Sequence, residues 1–204
     1  MTETHEVSRE TEENESISTV KIIRLAPGDT ELSLHAHLKD GFVDHFSCQM
    51  RQGEKPIVTA DFDFRNPGQV TYTRTRGDES KEQGDMEIPL DTIIYPLGMR
   101  WFTGRTLKAL GEGERHVFTA KVTSIDDEDL FSPQFDLRSA RLSPELEDLT
   151  LEVNNKVYMT RKYIVNGGPY RESPFWVEEA SDTMVRYHFE LPNGEAWLVE
   201  LDER

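Results

Sequence analysis

Between residues 184 and 201 apolar and polar side chains alternate with the period of an extended chain, interrupted once by Pro192-Asn193-Gly194. The runs Met184-Val185-Arg186-Tyr187-His188-Phe189-Glu190-Leu191 and Glu195-Ala196-Trp197-Leu198-Val199-Glu200-Leu201 therefore predict a β-hairpin. Two registers compete. A two-residue type I′ turn on Asn193-Gly194 sets Glu190 against Trp197 and Phe189 against Leu198, which mixes charge with apolar groups on both faces. A type I turn centred on Pro192-Asn193, with Gly194 in a G1 bulge, instead sets Phe189 against Trp197, Tyr187 against Val199 and Val185 against Leu201. Arg186 then meets Glu200 on the opposite face. Proline has the φ that the first central position needs, and glycine carries a positive φ without a Cβ penalty, so the bulged register is the expected one.

The same alternation recurs upstream. Residues 20–25 are followed by residues 31–39, which align Leu32, Leu34, Ala36 and Leu38. Residues 42–50 align Phe42, Phe46, Cys48 and Met50, residues 57–64 align Val58, Ala60, Phe62 and Phe64, and residues 70–75 complete an N-terminal series of roughly five strands. A polar loop is expected over 77–84. Residues 89–110 change character, and Leu90, Ile93, Ile94, Leu97, Trp101, Phe102, Leu107 and Leu110 suit short helical pieces, begun by Asp91 and interrupted at Pro96 and Gly98. A strand follows over 116–124, then an acidic connection over 126–147 with no legible pattern. Segments 149–153 and 157–165 are joined through Asn154-Asn155, and Asn166-Gly167-Gly168-Pro169 turns the chain into 170–178.

Roughly ten or eleven strands around one helical insert predict an all-β fold, a strongly curved antiparallel meander that forms a lipocalin-like (calycin-like) β-barrel or half-barrel. Residues 1–17 are rich in Glu, Thr and Ser with almost nothing apolar, and are expected to be a disordered acidic tail; residues 18–204 are expected to form a single β-barrel domain. From Pro89 onward the order of features resembles an uncharacterised bacterial domain family with a curved antiparallel sheet of lipocalin or lipoprotein-carrier type. The segments that carry the likeness are Pro89-Leu90-Asp91-Thr92-Ile93-Ile94, Ser173-Pro174-Phe175-Trp176-Val177 and Val185-Arg186-Tyr187. The likeness spans little more than half of the chain, rests on structural rather than catalytic motifs, and implies a fold and an apolar cargo.

Charge narrows the partners. A net charge of -16 argues against a nucleic-acid partner, because a phosphate backbone needs a basic face for counterion release. No apolar run is long enough for a membrane span, and the N-terminus lacks the basic start and apolar stretch of a secretory signal, so a soluble, cytoplasmic protein without membrane insertion is expected. The single cysteine, Cys48, rules out an internal disulfide and sits in an alternating strand as a buried thiol.

Candidate chemistry is sparse. His35-Ala36-His37 puts two imidazoles on one strand face, as in cupin metal sites, but no later histidine falls at a suitable spacing, and the two are read as part of a solvated outer face. Asp61 and Asp63 alternate with Ala60, Phe62 and Phe64, which fits either paired catalytic carboxylates or a wet sheet face. Asp126-Asp127-Glu128-Asp129 lacks the glycine and the terminal glutamate of an EF-hand loop. No metal or cofactor is called for, and no catalytic residue is named.

The most suggestive pattern is Val157, Met159, Arg161, Tyr163 and Val165 along one strand face, where a guanidinium and a phenol project among aliphatic groups. A buried cation in an apolar chamber suits a ligand with a hydrocarbon body and an acidic head. Arg161, Tyr163, Tyr187, Trp197, Trp176 and Trp101 are therefore the candidate ligand-binding residues, and a small hydrophobic molecule the candidate partner. The competing reading puts Arg161 at the rim, in water or paired with Glu147 or Asp148. Three functions follow: carriage or sensing of a small lipophilic molecule, with an acidic head as one option; a barrel enzyme of cyclase, isomerase or hydrolase type; and an acidic protein-interaction module.

Overall fold

The computed structural model describes residues 2–12, 15–26, 28–77, 80–111, 113–123, 125–144, 150–190 and 196–200. The chain divides into two compact units, the first made of residues 1–90 and 119–134 and the second of residues 91–118 and 135–204. Among the described residues neither forms a closed barrel: each sheet runs as an open path of strands between two edges. Among the described residues no helix is long and apolar enough to cross a membrane.

In the first unit, strands β1 (Thr2–Glu12), β2 (Glu15–Ala26), β3 (Thr30–Lys39), β4 (Phe42–Gln52), β5 (Lys55–Asp63), β6 (Gln69–Arg76) and β7 (Lys81–Glu87) pair in sequence order as an antiparallel meander. Asp40 and Gly41 both take positive φ, 49° and 83°, the type I′ geometry whose twist matches that of the flanking strands. One face of the sheet is buried. Across it, Ala36, Phe46, Phe62 and Tyr72 form a single cross-strand row, and Leu34, Cys48 and Ala60 form the next. Phe46 and Phe62 stack at 4.7 Å, and Cys48 lies deep enough that burial pushes its thiol pKa up, away from reactivity.

Segment 119–134 belongs to the same unit. It carries Leu130 and Phe131, both fully buried, and is held by its main chain: Arg74 Nη1 donates to the carbonyls of Glu128 (2.6 Å) and Leu130 (3.2 Å), and Arg76 donates to that of Asp127.

Three expectations change here. Residues 1–17, read as a disordered tail, contain β1, which pairs with β2 over its whole length. Threonine suits a strand, Val7 lies opposite Val20, and Glu3 binds Arg24 at 2.7 Å, so main-chain pairing and one shielded ion pair stand in for an apolar face. Phe42, expected in the core row, is 79% exposed. Leu38 pairs with Val43 and His37 with His45, so Asp44 is an extra residue in a bulge, and the bulge turns Phe42 out of register with Phe46, Cys48 and Met50. Finally, β7 occupies part of the stretch expected to be a loop.

In the second unit, strands β8 (Ile93–Ile94), β9 (Arg115–Ala120), β10 (Pro133–Leu142), β11 (Thr150–Val153), β12 (Lys156–Gly167), β13 (Tyr170–Glu178), β14 (Met184–Glu190) and β15 (Ala196–Glu200) build a sheet of order β15-β14-β13-β12-β10-β9-β8, with β11 beside β12. β8 and β9 run parallel, so the sheet is mixed. A 3-10 turn over Pro96–Gly98 leads into helix α1 (Arg100–Leu110); Met99, not Asp91, precedes its first turn. The hairpin register matches the bulged expectation, with Phe189 against Trp197, Tyr187 against Val199 and Arg186 against Glu200. The turn itself and Leu201 lie outside the described residues.

β12 does not keep one face buried. Tyr158 and Thr160 are buried in its first half, Tyr163 and Val165 in its second, while Val157 and Met159 are 63% and 56% exposed. Two partners share one edge of this strand: β11 pairs with residues 156–159 and β10 with residues 163–167. The first half packs into a small cluster with Leu151, Val153 and Val185, and the second half buries the opposite parity. The expected continuous inner row of Val157, Met159, Arg161, Tyr163 and Val165 is thus broken at Arg161.

Candidate functional site

Helix α1 lies on the face of the second sheet that carries Phe175 and Val177. Gly104 makes the approach possible, because a Cβ there would stand 2.6 Å from Val177 Cγ1 and 2.1 Å from the Asp182 carbonyl oxygen. Beside this contact is a small recess of about 10 Å³, room for about one water molecule. The helix side supplies Thr103, Thr106, Leu107 and Leu110, with Tyr95 just upstream. The sheet side supplies Arg138 from β10, Val165 from β12, and Tyr170 and Phe175 from β13.

Arg138 is the unusual member, a guanidinium only 6% exposed. Its Nη2 donates to Asp136 Oδ2 at 2.8 Å, and the rings of Tyr95 and Tyr170 lie 5.8 Å and 5.6 Å from its central carbon. Its Nε–H is buried with no acceptor among the described residues. Orphaned donors of this kind are rare in folded proteins because each forfeits its hydration without replacement. Gly168 helps to seat the pair, since a Cβ there would stand 3.1 Å from both Arg138 Nε and Asp136 Oδ2.

The six residues picked out from sequence are dispersed. Tyr163 is buried and paired with Phe175, and Tyr187 stacks on Phe175 at 5.0 Å, so these two adjoin the wall of the recess. Arg161 does not: its side chain is 42% exposed and its Nε donates to Glu179 Oε1 at 3.0 Å, which holds the guanidinium pKa up. This is a rim pairing, with Glu179 in place of the expected Glu147 or Asp148, which lie outside the described residues. Trp176 is on the opposite face of the sheet, packed on the Leu151, Val153, Tyr158 and Val185 cluster, with Lys162 Nζ 5.5 Å from its ring centre. Trp101 is buried on α1 against Phe102, with the Arg105 guanidinium 3.9 Å from its ring centre. Trp197 holds its place in β15, and its side chain lies outside the described residues.

Arg138 was missed because it falls in the acidic connection that showed no pattern. The signal was present: Asp136, Arg138 and Ala140 alternate with Phe135, Leu137 and Ser139, which puts an acid and a base two residues apart on one strand face.

The other candidates sit on the open face of the first unit. His35 is exposed, His37 Nδ1 contacts Asp44 Oδ1 at 2.6 Å, and His45 Nε2 contacts Asp61 Oδ2 at 3.0 Å. Among the described residues no three His, Cys, Asp or Glu groups converge as metal ligands. Asp63 is bound by Arg65, whose Nε lies 2.9 Å from each carboxylate oxygen and whose main-chain N–H adds a third bond. The guanidinium bonds are the largest cause of its pKa falling to about 2. A carboxylate with a depressed folded pKa contributes stability above its ordinary value of 3.8, and loses it as the pH falls from there through about 2. A carbon-detected NMR titration is expected to place the Asp63 midpoint near 2, and Arg65→Ala to move it back toward the ordinary carboxylate range; an unchanged midpoint in the variant would contradict the assignment.

No family model matches the chain, no curated protein is similar to it, and no solved structure matches it.

Proposed function

We propose that the second unit binds or carries a small lipophilic molecule in the recess between α1 and the sheet, with Arg138 as its polar contact. The observation behind this reading is a guanidinium buried beside a small recess whose exposed lining is apolar, with its Nε–H unused among the described residues. An apolar pocket with few directed polar groups is the general form of a small-molecule site. The family likeness read from sequence, with its apolar cargo, points the same way, and the sheet beneath the helix is open and mixed.

The enzyme alternative needs polar groups that converge. His35, His37, Asp61 and Asp63 lie along the outer face of the meander and the pairs they form stay within it, and Arg161 is engaged by Glu179.

Native mass spectrometry of the full chain, purified without detergent, tests the binding reading. The expected result is a reproducible mass excess that disappears on denaturation and is absent from Leu107→Trp, where the larger side chain occludes the recess. A bare mass for the parent protein, or the same excess in the folded variant, rejects it.

A further inference from the structure

We infer that His35, His37 and His45 form a binding site for a divalent transition metal of the zinc class on the outer face of the first sheet. The site belongs to the first unit and does not depend on the binding reading of the second.

The argument starts from register. His35 and His37 lie two apart on β3 and so share a face. The third imidazole comes from β4. Asp44, the extra residue of the bulge, shifts the pairing so that His45 stands directly opposite His37. Opposed side chains on one face of an antiparallel pair have Cβ atoms about 4.5–5.5 Å apart, and diagonal ones roughly 7–8 Å, still within reach of long side chains. His37 and His45 are the opposed pair, and His35, opposite Ser47, is diagonal to His45. Three imidazoles thus occupy the corners of a small triangle, the ligand number zinc takes when it keeps one position open.

The second observation is which nitrogen of each ring is engaged. His37 Nδ1 stands 2.6 Å from Asp44 Oδ1, and His45 Nε2 stands 3.0 Å from Asp61 Oδ2. An ionised carboxylate only accepts, so in each neutral ring this nitrogen carries the proton and donates it. The lone pair is then on Nε2 of His37 and on Nδ1 of His45. Metal-ligating histidines characteristically donate their second N–H to a carboxylate or a carbonyl, which fixes the tautomer and raises the basicity of the ligating nitrogen. The bulge supplies both parts at once: it brings His45 to His37 and leaves the Asp44 carboxylate beside the His37 ring.

The ligand types set the class of ion. Calcium and magnesium prefer oxygen, and the carboxylates here are engaged by imidazoles or, for Asp63 opposite His45, by Arg65. Imidazole nitrogen suits zinc, copper or nickel. Among the described residues the three rings do not converge on one point, so ligation turns them about their side-chain bonds. Their positions permit this, because His35 is exposed and His37 and His45 are part-exposed on the open face.

Zinc chloride is titrated into the isotope-labelled full chain at neutral pH, with magnesium chloride in excess, and the ring nitrogens of the 6 histidines are followed by NMR. The expected result is saturable binding of one ion. His35, His37 and His45 shift together, with the metal on Nε2 of His37 and Nδ1 of His45, while His5, His116 and His188 stay in place. His45→Ala is expected to weaken binding by at least about tenfold and Asp44→Ala by about tenfold, the scale on which loss of a ligand's carboxylate partner is felt. Shifts spread over all the histidines, ligation through the nitrogens that face Asp44 and Asp61, or an affinity of His45→Ala within about twofold of the parent overturns the inference. The parent titration decides the matter even if Asp44→Ala loses the bulge.

Discussion

Gly104→Ala is expected to lower the unfolding free energy by about 3 kcal/mol, although alanine is the better helix former by about 1 kcal/mol. The sign is set by packing. A Cβ on residue 104 would stand 2.1 Å from the Asp182 carbonyl oxygen, which belongs to the turn between β13 and β14, and 2.6 Å from Val177 Cγ1. Neither neighbour is the free end of a flexible side chain, and Asp182 already holds a positive φ of 57°, so relief requires α1 to lift from the sheet. Urea unfolding followed by tryptophan emission measures the change, and hydrogen exchange locates it. Protection should fall in α1 and in β12 to β14. A midpoint equal to or above that of the parent would mean that the helix does not approach the sheet at this residue.

Phe62→Ala is expected to cost about 4 kcal/mol, in the range for an aromatic ring removed from a packed interior. Phe62 is fully buried, stacked on Phe46 at 4.7 Å and within 6.2 Å of Tyr72. The control is Phe42→Ala, one strand away, where 79% exposure predicts a change within about 0.5 kcal/mol. The two phenylalanines look equivalent in the sequence. Similar costs for both would show that the bulge at Asp44 does not turn Phe42 outward.

That pair shows how far the sequence could be read. Alternation over 31–39, 42–50 and 57–64 located the strands and most of the inner row, because one buried face forces a period of two. In the C-terminal hairpin the chemistry of each face chose between two registers. Bulges defeated the same logic, because they insert one residue with no compositional mark. Asp44 displaced Phe42, and the bulge at Val185 let both Met184 and Val185 become buried. β1 was missed for another reason: its side chains bury little, and pairing along the edge of β2 is invisible to a hydrophobic pattern. Arg161 stood out because it lay among apolar residues, yet β12 exchanges its buried face at that point. Arg138 lay in a stretch rich in acids whose alternation was overlooked, although one of those acids is its counterion.

The main chain crosses from one unit to the other after residues 90, 118 and 134. During synthesis all seven strands of the meander emerge before the segment that supplies the carbonyls of Asp127, Glu128 and Leu130 to Arg74 and Arg76. Domains usually fold as continuous stretches in the order they leave the ribosome. Here the first unit must wait, with Arg74 held by Glu82 alone, until 44 more residues have been translated, the span from 91 to 134. A nascent chain stalled when residue 90 has just cleared the exit tunnel should therefore remain sensitive to protease, and one stalled when residue 134 has cleared it should not.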